Sequence, residues 1–182
     1  MRALAILVFL VTAFGLVGVL ADYFPGDAGL IPRLAIDVSL SFVAVLVHEL
    51  GHAAAAWRLG ADVHSIVVVP LELRFHPRRL RTKWKAGKAD LGGYVAYSLD
   101  RIQARRKHMM IAAAGPAANL LLALGAGLIA ERLGLTTLAG TLLGALAMLS
   151  AGTGLANLIP FKGSDGRHLL QGFRAGRRAR MR

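Results

Sequence analysis

The chain has no cysteine and only 10 acidic residues, and both shortages narrow its possible chemistry. Without cysteine, disulfide bonds and thiolate metal sites are excluded, so any bound metal ion must be held by histidine and carboxylate. Charged residues make up only 18% of the 182 positions, whereas 55% are hydrophobic. A chain this apolar is suited to the lipid bilayer rather than to water.

Four long stretches are nearly free of charge, and each is close to the roughly 18 to 20 residues that a helix needs to cross hydrocarbon. We predict four transmembrane helices, at about residues 3–21, 35–58, 108–130 and 134–160. Residues 1–182 would then form a single polytopic membrane domain with a basic C-terminal tail at 171–182. The first stretch also resembles a signal peptide, which leaves open whether residues 1–21 are retained as a helix.

The basic residues are grouped beside the predicted spans. Of 22 lysines and arginines, 12 lie between Arg58 and Lys107 and seven lie between Lys162 and Arg182. Because positive loops stay inside, we expect both termini and the central segment in the cytoplasm, in an integral protein of a prokaryotic plasma membrane. The net charge of +12 therefore indicates contact with anionic lipid, and no nucleic-acid partner is expected.

The segment between the second and third spans has the alternation and β-branched residues that are typical of strands. Three strands are predicted, at residues 65–69, 71–75 and 92–97, and the basic residues 76–88 are predicted to be a solvated loop. The expected fold is thus a mainly α membrane protein of about four transmembrane helices, with a small cytoplasmic-side β-sheet between the second and the third.

The second predicted helix contains the sequence motif that carries the chemistry. It is expected to begin near Leu34 or Asp37, with Asp37 as its N-cap, and to stop at Gly60. His48-Glu49-Leu50-Gly51-His52 has the HExxH pattern, which on a helix places two imidazoles on one face. Two imidazoles can bind zinc while Glu49 acts as a general base, which is hydrolytic chemistry. Placing three ionisable side chains in an apolar span costs free energy, unless they pair with one another or bind a common metal ion.

A catalytic zinc site needs a third protein ligand, and few acidic residues are placed to supply it. Glu72 and Asp165 are the serious candidates, with Asp90 behind them. Glu72 lies in an alternating strand, where it is expected to be a surface charge facing Arg74 or lipid. Asp165 follows the last span, where Pro160 and nearby glycines break the helix and let the chain turn back at membrane depth. We therefore choose Asp165 as the third ligand of one Zn²⁺ per chain.

Two asparagines in the spans have alternative interpretations. Asn119 is expected to support close helix packing through one interhelical hydrogen bond, with contact to substrate as the alternative. Asn157, eight residues before Asp165, is placed to orient a ligand or to donate to a developing oxyanion. The other four histidines, at positions 64, 76, 108 and 168, lie in basic segments and are assigned no metal role.

Taken in order, HELGH in one span, GPAAN in the next and NLIP followed by SDG after the last resemble the motifs of the site-2 protease family of intramembrane zinc metalloproteases. The resemblance covers about residues 34–170. It implies that His48 and His52 bind zinc, that Glu49 is catalytic, that Asp165 is the third ligand and that Asn157 is the asparagine of the final motif.

The resemblance also has implications for the sheet and for the parts that differ. The strand that contains Gly93 resembles a membrane-associated sheet whose edge holds an extended substrate in the family. In the last motif, Ser164 precedes Asp165 and Arg167 replaces a second glycine, which is a departure in the local loop. The length leaves no room for the PDZ or CBS domain that many relatives carry.

The function expected from the sequence is zinc-dependent hydrolysis of peptide bonds in or near transmembrane segments. The partners would be the lipid bilayer and a membrane-protein substrate whose transmembrane segment is unwound, because a helical amide is already hydrogen-bonded and shielded. The alternative is a non-catalytic zinc-binding membrane protein with a structural or partner-binding role. The sequence does not indicate the oligomeric state.

Overall fold

The computed structural model describes residues 14–15, 17–76, 78–82, 93–100 and 102–180. In chain order, its helices and strands are α1 (Leu30–Arg58), β1 (Asp62–Val68), β2 (Leu71–Phe75), β3 (Arg78–Thr82), β4 (Gly93–Ser98), α2 (Ala104–Leu133), α3 (Leu138–Leu158) and α4 (Asp165–Arg180). Short 3-10 turns at Leu20–Asp22 and Asp27–Gly29 precede α1. The described part of the chain is mainly helical, with one small sheet between α1 and α2.

Three helices in the described part of the chain are long and apolar enough to cross a membrane. They are α1, α2 and α3, and they correspond to the second, third and fourth predicted spans, with bounds that differ by a few residues. The first predicted span, 3–21, lies mostly outside the described residues, among which 14, 15 and 17–19 are helical. At about 1.5 Å per residue, both α1 and α2 exceed the roughly 30 Å thickness of hydrocarbon.

The prediction that Asp37 caps the second helix is wrong. α1 begins at Leu30, so Asp37 lies two turns inside it. Pro32 lies in the first turn, where backbone N–H groups have no acceptor within the helix and a proline is tolerated. The residues before Asp37 therefore belong to the helix.

The predicted end of this helix is confirmed. Gly60 has a φ of 75°, a left-handed conformation that glycine adopts without steric cost. Its N–H donates to the Trp57 carbonyl at 3.1 Å, and the N–H of Ala61 donates to the Ala56 carbonyl at 2.9 Å. These two bonds form a Schellman motif, which ends α1 and turns the chain directly into β1.

The four strands form one antiparallel sheet in the order β3-β2-β1-β4. The prediction placed residues 76–88 in a loop, but 78–82 of that segment form β3, which is exposed throughout. The alternation of a half-buried strand is missing there because β3 is an edge strand that buries neither face, and charged edge strands of this kind resist pairing with other chains. At the opposite edge, β4 begins at Gly93.

Small residues bring α1 and α2 close together. A Cβ atom on Gly51 would lie 2.7 Å from both the Ala114 carbonyl oxygen and the Ala118 Cβ, so only glycine allows this approach. Near the sheet, Ala53 and Ala56 of α1 join Ile111 of α2 in a buried cluster beneath β1. This close contact fixes the relative position of the two helices at the level of the HExxH motif.

The predicted basic tail, residues 171–182, overlaps α4, because residues 165–180 form a single helix. Its glycines contact α2, where a Cβ on Gly172 would overlap the Met109 side chain. At the other end, a Cβ on Gly166 would overlap the carbonyl group of Leu158, the last residue of α3. The start of α4 is therefore held tightly against the end of the last long helix.

Candidate metal centre and active site

Three side chains that can bind a metal ion converge between α1 and the start of α4. The Nε2 atom of His48 lies 3.0 Å from Asp165 Oδ2, and the Nε2 atom of His52 lies 3.3 Å from the same oxygen. The two Nε2 atoms are 3.1 Å apart. Both histidines are buried, with exposed fractions of 5% and 8%. The structure thus brings together the three residues that the sequence singled out as ligands.

The imidazole of His52 is oriented by α2. Its Nδ1 atom lies 2.7 Å from the carbonyl oxygen of Ile111, and because a carbonyl can only accept, Nδ1 carries the proton. In the neutral ring, Nε2 is then the acceptor, and it faces Asp165. Gly115 makes room for the ring, since a Cβ there would overlap its Nε2 atom and lie 2.8 Å from its Cδ2 atom.

Asp165 is positioned by the turn that follows α3. Ser164 is fully buried, and its Oγ atom donates to the Ile159 carbonyl at 2.7 Å while accepting from the N–H of Phe161 at 3.0 Å. The same oxygen lies 3.3 Å from the N–H of Arg167, three residues on, as an N-cap does. Asp165 is therefore the first residue of a capped helix, which fixes the position of its backbone beside the two histidines.

The donor set and its spacing fit a zinc ion. Zinc binds imidazole nitrogen and carboxylate oxygen at about 2.0 to 2.2 Å, and in tetrahedral geometry two such ligand atoms lie roughly 3.3 Å apart. The separations among His48, His52 and Asp165 are 3.0, 3.1 and 3.3 Å. Two unprotonated ring nitrogens in contact would repel each other, and a shared cation removes that repulsion. Three protein ligands leave one tetrahedral position open, which is typical of catalytic rather than structural zinc.

Glu49 lies beside the ligands and against the end strand of the sheet. It is buried, with an exposed fraction of 5%. A Cβ atom on Gly93, the first residue of β4, would lie 2.8 Å from Glu49 Oε1 and 2.6 Å from the Val67 carbonyl oxygen. Glycine at this position therefore lets the backbone of β4 run directly past the Glu49 carboxyl group.

The two asparagines differ in their relation to this centre. Asn157 donates from its Nδ2 atom to the Thr153 carbonyl of its own helix at 3.1 Å, and no described contact links it to the three ligands. Asn119 is fully buried between α2 and α3. The predicted interhelical hydrogen bond is present, but it runs from the Ser150 hydroxyl to the backbone carbonyl of Asn119 and not to its side chain.

Glu72, the rival third ligand, is occupied elsewhere. Its Oε1 atom accepts from Arg74 Nε at 2.9 Å, which is one of the two partners expected from the sequence, but the residue is buried rather than on the surface. Among the described residues, the other group of potential ligands that converge is Asp62, His64 and His76. All three are exposed, so packing does not fix their orientation.

Sequence reasoning missed three contributors to this site. The Ile111 carbonyl carries no sequence signal, because any residue supplies one. Gly115 is part of the GPAAN motif, but the sequence does not show that the ring of His52 packs against it and leaves no room for a Cβ atom. Ser164 was noted as a departure from the expected motif, although a serine just before a helix is a common N-cap and could have been identified as one.

The sequence profile of peptidase family M50 matches residues 38–135, which include the HExxH motif and GPAAN. The chain belongs to peptidase family M50. This membership confirms the resemblance to the site-2 protease family. The matched region ends before Asp165, so the place of that residue in the centre comes from the structure and the last motif.

One curated relative is the Synechocystis protein named "Putative zinc metalloprotease sll0528", which is 29% identical to the chain over 148 residues. The alignment covers 81% of this chain but 32% of that protein, so the chain spans about a third of the length of the relative. No solved structure gave a significant match.

Proposed function

We propose that this M50 peptidase is an intramembrane zinc metalloprotease that hydrolyses peptide bonds in or near transmembrane segments. The observation that carries the proposal is the convergence of two imidazoles and one carboxylate beside Glu49, at the end of the sheet and within a helix long enough to cross a membrane. Family membership and the zinc metalloprotease name of the relative support the same activity.

In this proposal, His48, His52 and Asp165 hold one zinc ion, which when bound polarises the scissile carbonyl and makes water a better nucleophile. Glu49 takes a proton from the attacking water on a carboxyl oxygen and passes it to the amide nitrogen as the C–N bond breaks. Water is consumed, and a carboxyl end and an amino end are formed. The buried position of Glu49 keeps bulk water from competing for that proton.

The substrate is proposed to lie extended along β4. This strand is at one end of the described sheet, and its first residue, Gly93, is packed against Glu49. A peptide that adds to a sheet edge gains main-chain hydrogen bonds, and it presents its amides one after another. Since amides in a helix are already bonded and shielded, a transmembrane substrate must unwind before it reaches this position.

The proposed setting is a plasma membrane, with the sheet and both termini in the cytoplasm. The clusters of basic residues between Arg58 and Lys107 and after Lys162 support this orientation, because positive loops remain inside. Counting about 1.5 Å per residue back from Arg58, His52 lies roughly 9 Å and His48 roughly 15 Å from that end of α1. Cleavage would then take place near the cytoplasmic face.

The proposal is tested by comparing the wild-type protein with Glu49→Gln in liposomes that contain a transmembrane test substrate. Wild type should cleave the substrate, and Glu49→Gln should not, while both bind zinc equally, because Glu49 handles protons without coordinating the metal. Equal cleavage by the two proteins would contradict the proposed role of Glu49. Zinc binding without cleavage of any substrate, in cells or in liposomes, would favour the non-catalytic alternative.

A further inference from the structure

We propose that Asn119 is a positioning residue for the metal ligand His48, and that its side-chain oxygen accepts the Nδ1 proton of His48, directly or through one buried water. This inference rests on the proposed function of the same site. It assigns a specific task to an asparagine that the sequence could interpret only as a packing residue or a substrate contact.

The first observation is a pair of buried polar groups without partners. Among the described residues, neither Nδ2 nor Oδ1 of Asn119 has a hydrogen-bond partner, and neither does Nδ1 of His48. A polar group that is buried without a partner destabilises the fold, so such groups are usually hydrogen-bonded. Asn119 is fully buried, so its side chain lies in the helix interface, and the Ser150 hydroxyl bonds only to its backbone carbonyl.

The second observation is the register between α1 and α2. His52 contacts the Ile111 carbonyl and packs over Gly115. The helices run antiparallel here, because Gly51, which precedes His52, packs on Ala114 and Ala118 further along α2. His48 is one turn before His52 on α1. In an antiparallel pair, the matching step on α2 is one turn forward, from Ile111 and Gly115 to Gly115 and Asn119. Since residues four apart lie on nearly the same helix face, this register places Asn119 at the level of His48.

The third observation is chemical complementarity. The Nε2 atom of His48 faces Asp165 at 3.0 Å, so in the metal-bound form Nδ1 carries the ring proton and needs an acceptor. Metal-binding histidines almost always donate this second N–H to an oxygen. His52 donates to the Ile111 carbonyl, whereas His48 has no such bond in the described chain. The amide oxygen of Asn119 is the complementary group at that level.

The GPAAN motif then has a single physical explanation. Gly115 leaves space for the ring of His52, and Asn119, one turn later on the same face, supplies the acceptor for His48. The motif in α2 would thus orient both histidines of the motif in α1.

The test is the zinc dissociation constant, measured by competition with a chelator for detergent-purified full-length protein. Asn119→Leu keeps the size of the side chain but removes the acceptor, and it should weaken zinc binding roughly tenfold to a hundredfold, as loss of such a partner does elsewhere. Asn119→Asp keeps an acceptor oxygen and should restore most of the affinity. If the leucine variant does not fold, Asn119→Ala removes the acceptor without adding bulk and carries the same expectation.

Ser150→Ala is the matched control, because it removes a buried hydrogen bond to the backbone of Asn119 and leaves the side-chain amide intact. It should lower the unfolding temperature of the zinc-free protein without changing the zinc dissociation constant. The inference is overturned if Asn119→Leu binds zinc as tightly as Ser150→Ala, or if Asn119→Asp loses as much affinity as Asn119→Leu. A wild-type protein that binds no zinc would instead contradict the proposed function.

Discussion

Replacing Gly115 by alanine tests whether the close fit between α2 and the ring of His52 holds the metal centre together. A Cβ at this position would overlap the imidazole, with its Cδ2 atom only 2.8 Å away. The ring cannot rotate aside without losing its 2.7 Å hydrogen bond to the Ile111 carbonyl and its approach to Asp165. The helices cannot separate without opening the contact between Gly51 and Ala118.

Adding a methyl group to a well-packed interior costs roughly 1 to 3 kcal/mol. If the ring moves to absorb it, the whole cost falls on zinc binding, and since 1.4 kcal/mol is a factor of ten, affinity should fall about fivefold to a hundredfold. The assay is chelator competition for zinc, with cleavage measured in parallel. Both should decline together in Gly115→Ala.

Gly125→Ala is the control on the same helix, because a Cβ at Gly125 would meet no atom of the described residues within 4 Å. It should bind zinc like the wild type, with a helix that is as stable or more stable by less than about 1 kcal/mol. Equal zinc affinity in Gly115→Ala and Gly125→Ala would contradict this prediction. It would mean that the ring of His52 does not depend on the space that Gly115 leaves.

Three further predictions concern the capping turn, the end strand and the topology. Ser164→Ala removes the cap of α4, and the loss of about 1 kcal/mol of stabilisation at Asp165 should weaken zinc binding about fivefold. Unchanged zinc binding would show that the cap does not support the metal centre. Gly93→Ala should displace Glu49 and lower the cleavage rate by roughly a hundredfold with zinc retained, and lost zinc would contradict a role limited to Glu49. In this cysteine-free chain, a cysteine at Asp27 should react with an impermeant reagent from outside and one at Arg174 should not; the reverse labelling would invert the proposed topology.

The sequence was sufficient to predict which three side chains converge, because each of them follows a local rule. His48 and His52 are four residues apart on a helix, and helical geometry alone places them on one face. Asp165 was chosen because a helix break after the last span returns the chain to the level of the motif. The structure brings that carboxylate within 3.0 and 3.3 Å of the two rings.

The parts that could not be predicted depend on neighbours far away in the chain. The burial of Glu72 follows from strand pairing, which its own alternating pattern does not specify. β3 buries neither face, so it has no periodicity by which to detect it. The start of α1 was missed because Asp37 is a residue type that often caps a helix, and the sequence alone does not show that Pro32 lies in the first turn, where a proline is tolerated.

The zinc content of purified Asp165→Asn and Glu72→Gln, measured beside the wild type, tests the account most directly. The wild type should carry about one zinc ion per chain. Asp165→Asn should lose most of it, because its Oδ2 atom is the shared contact of both imidazoles, and Glu72→Gln should keep it, because Glu72 bonds to Arg74 instead. Full zinc in Asp165→Asn would contradict the proposed centre, and full zinc there with depleted zinc in Glu72→Gln would assign the third ligand to Glu72.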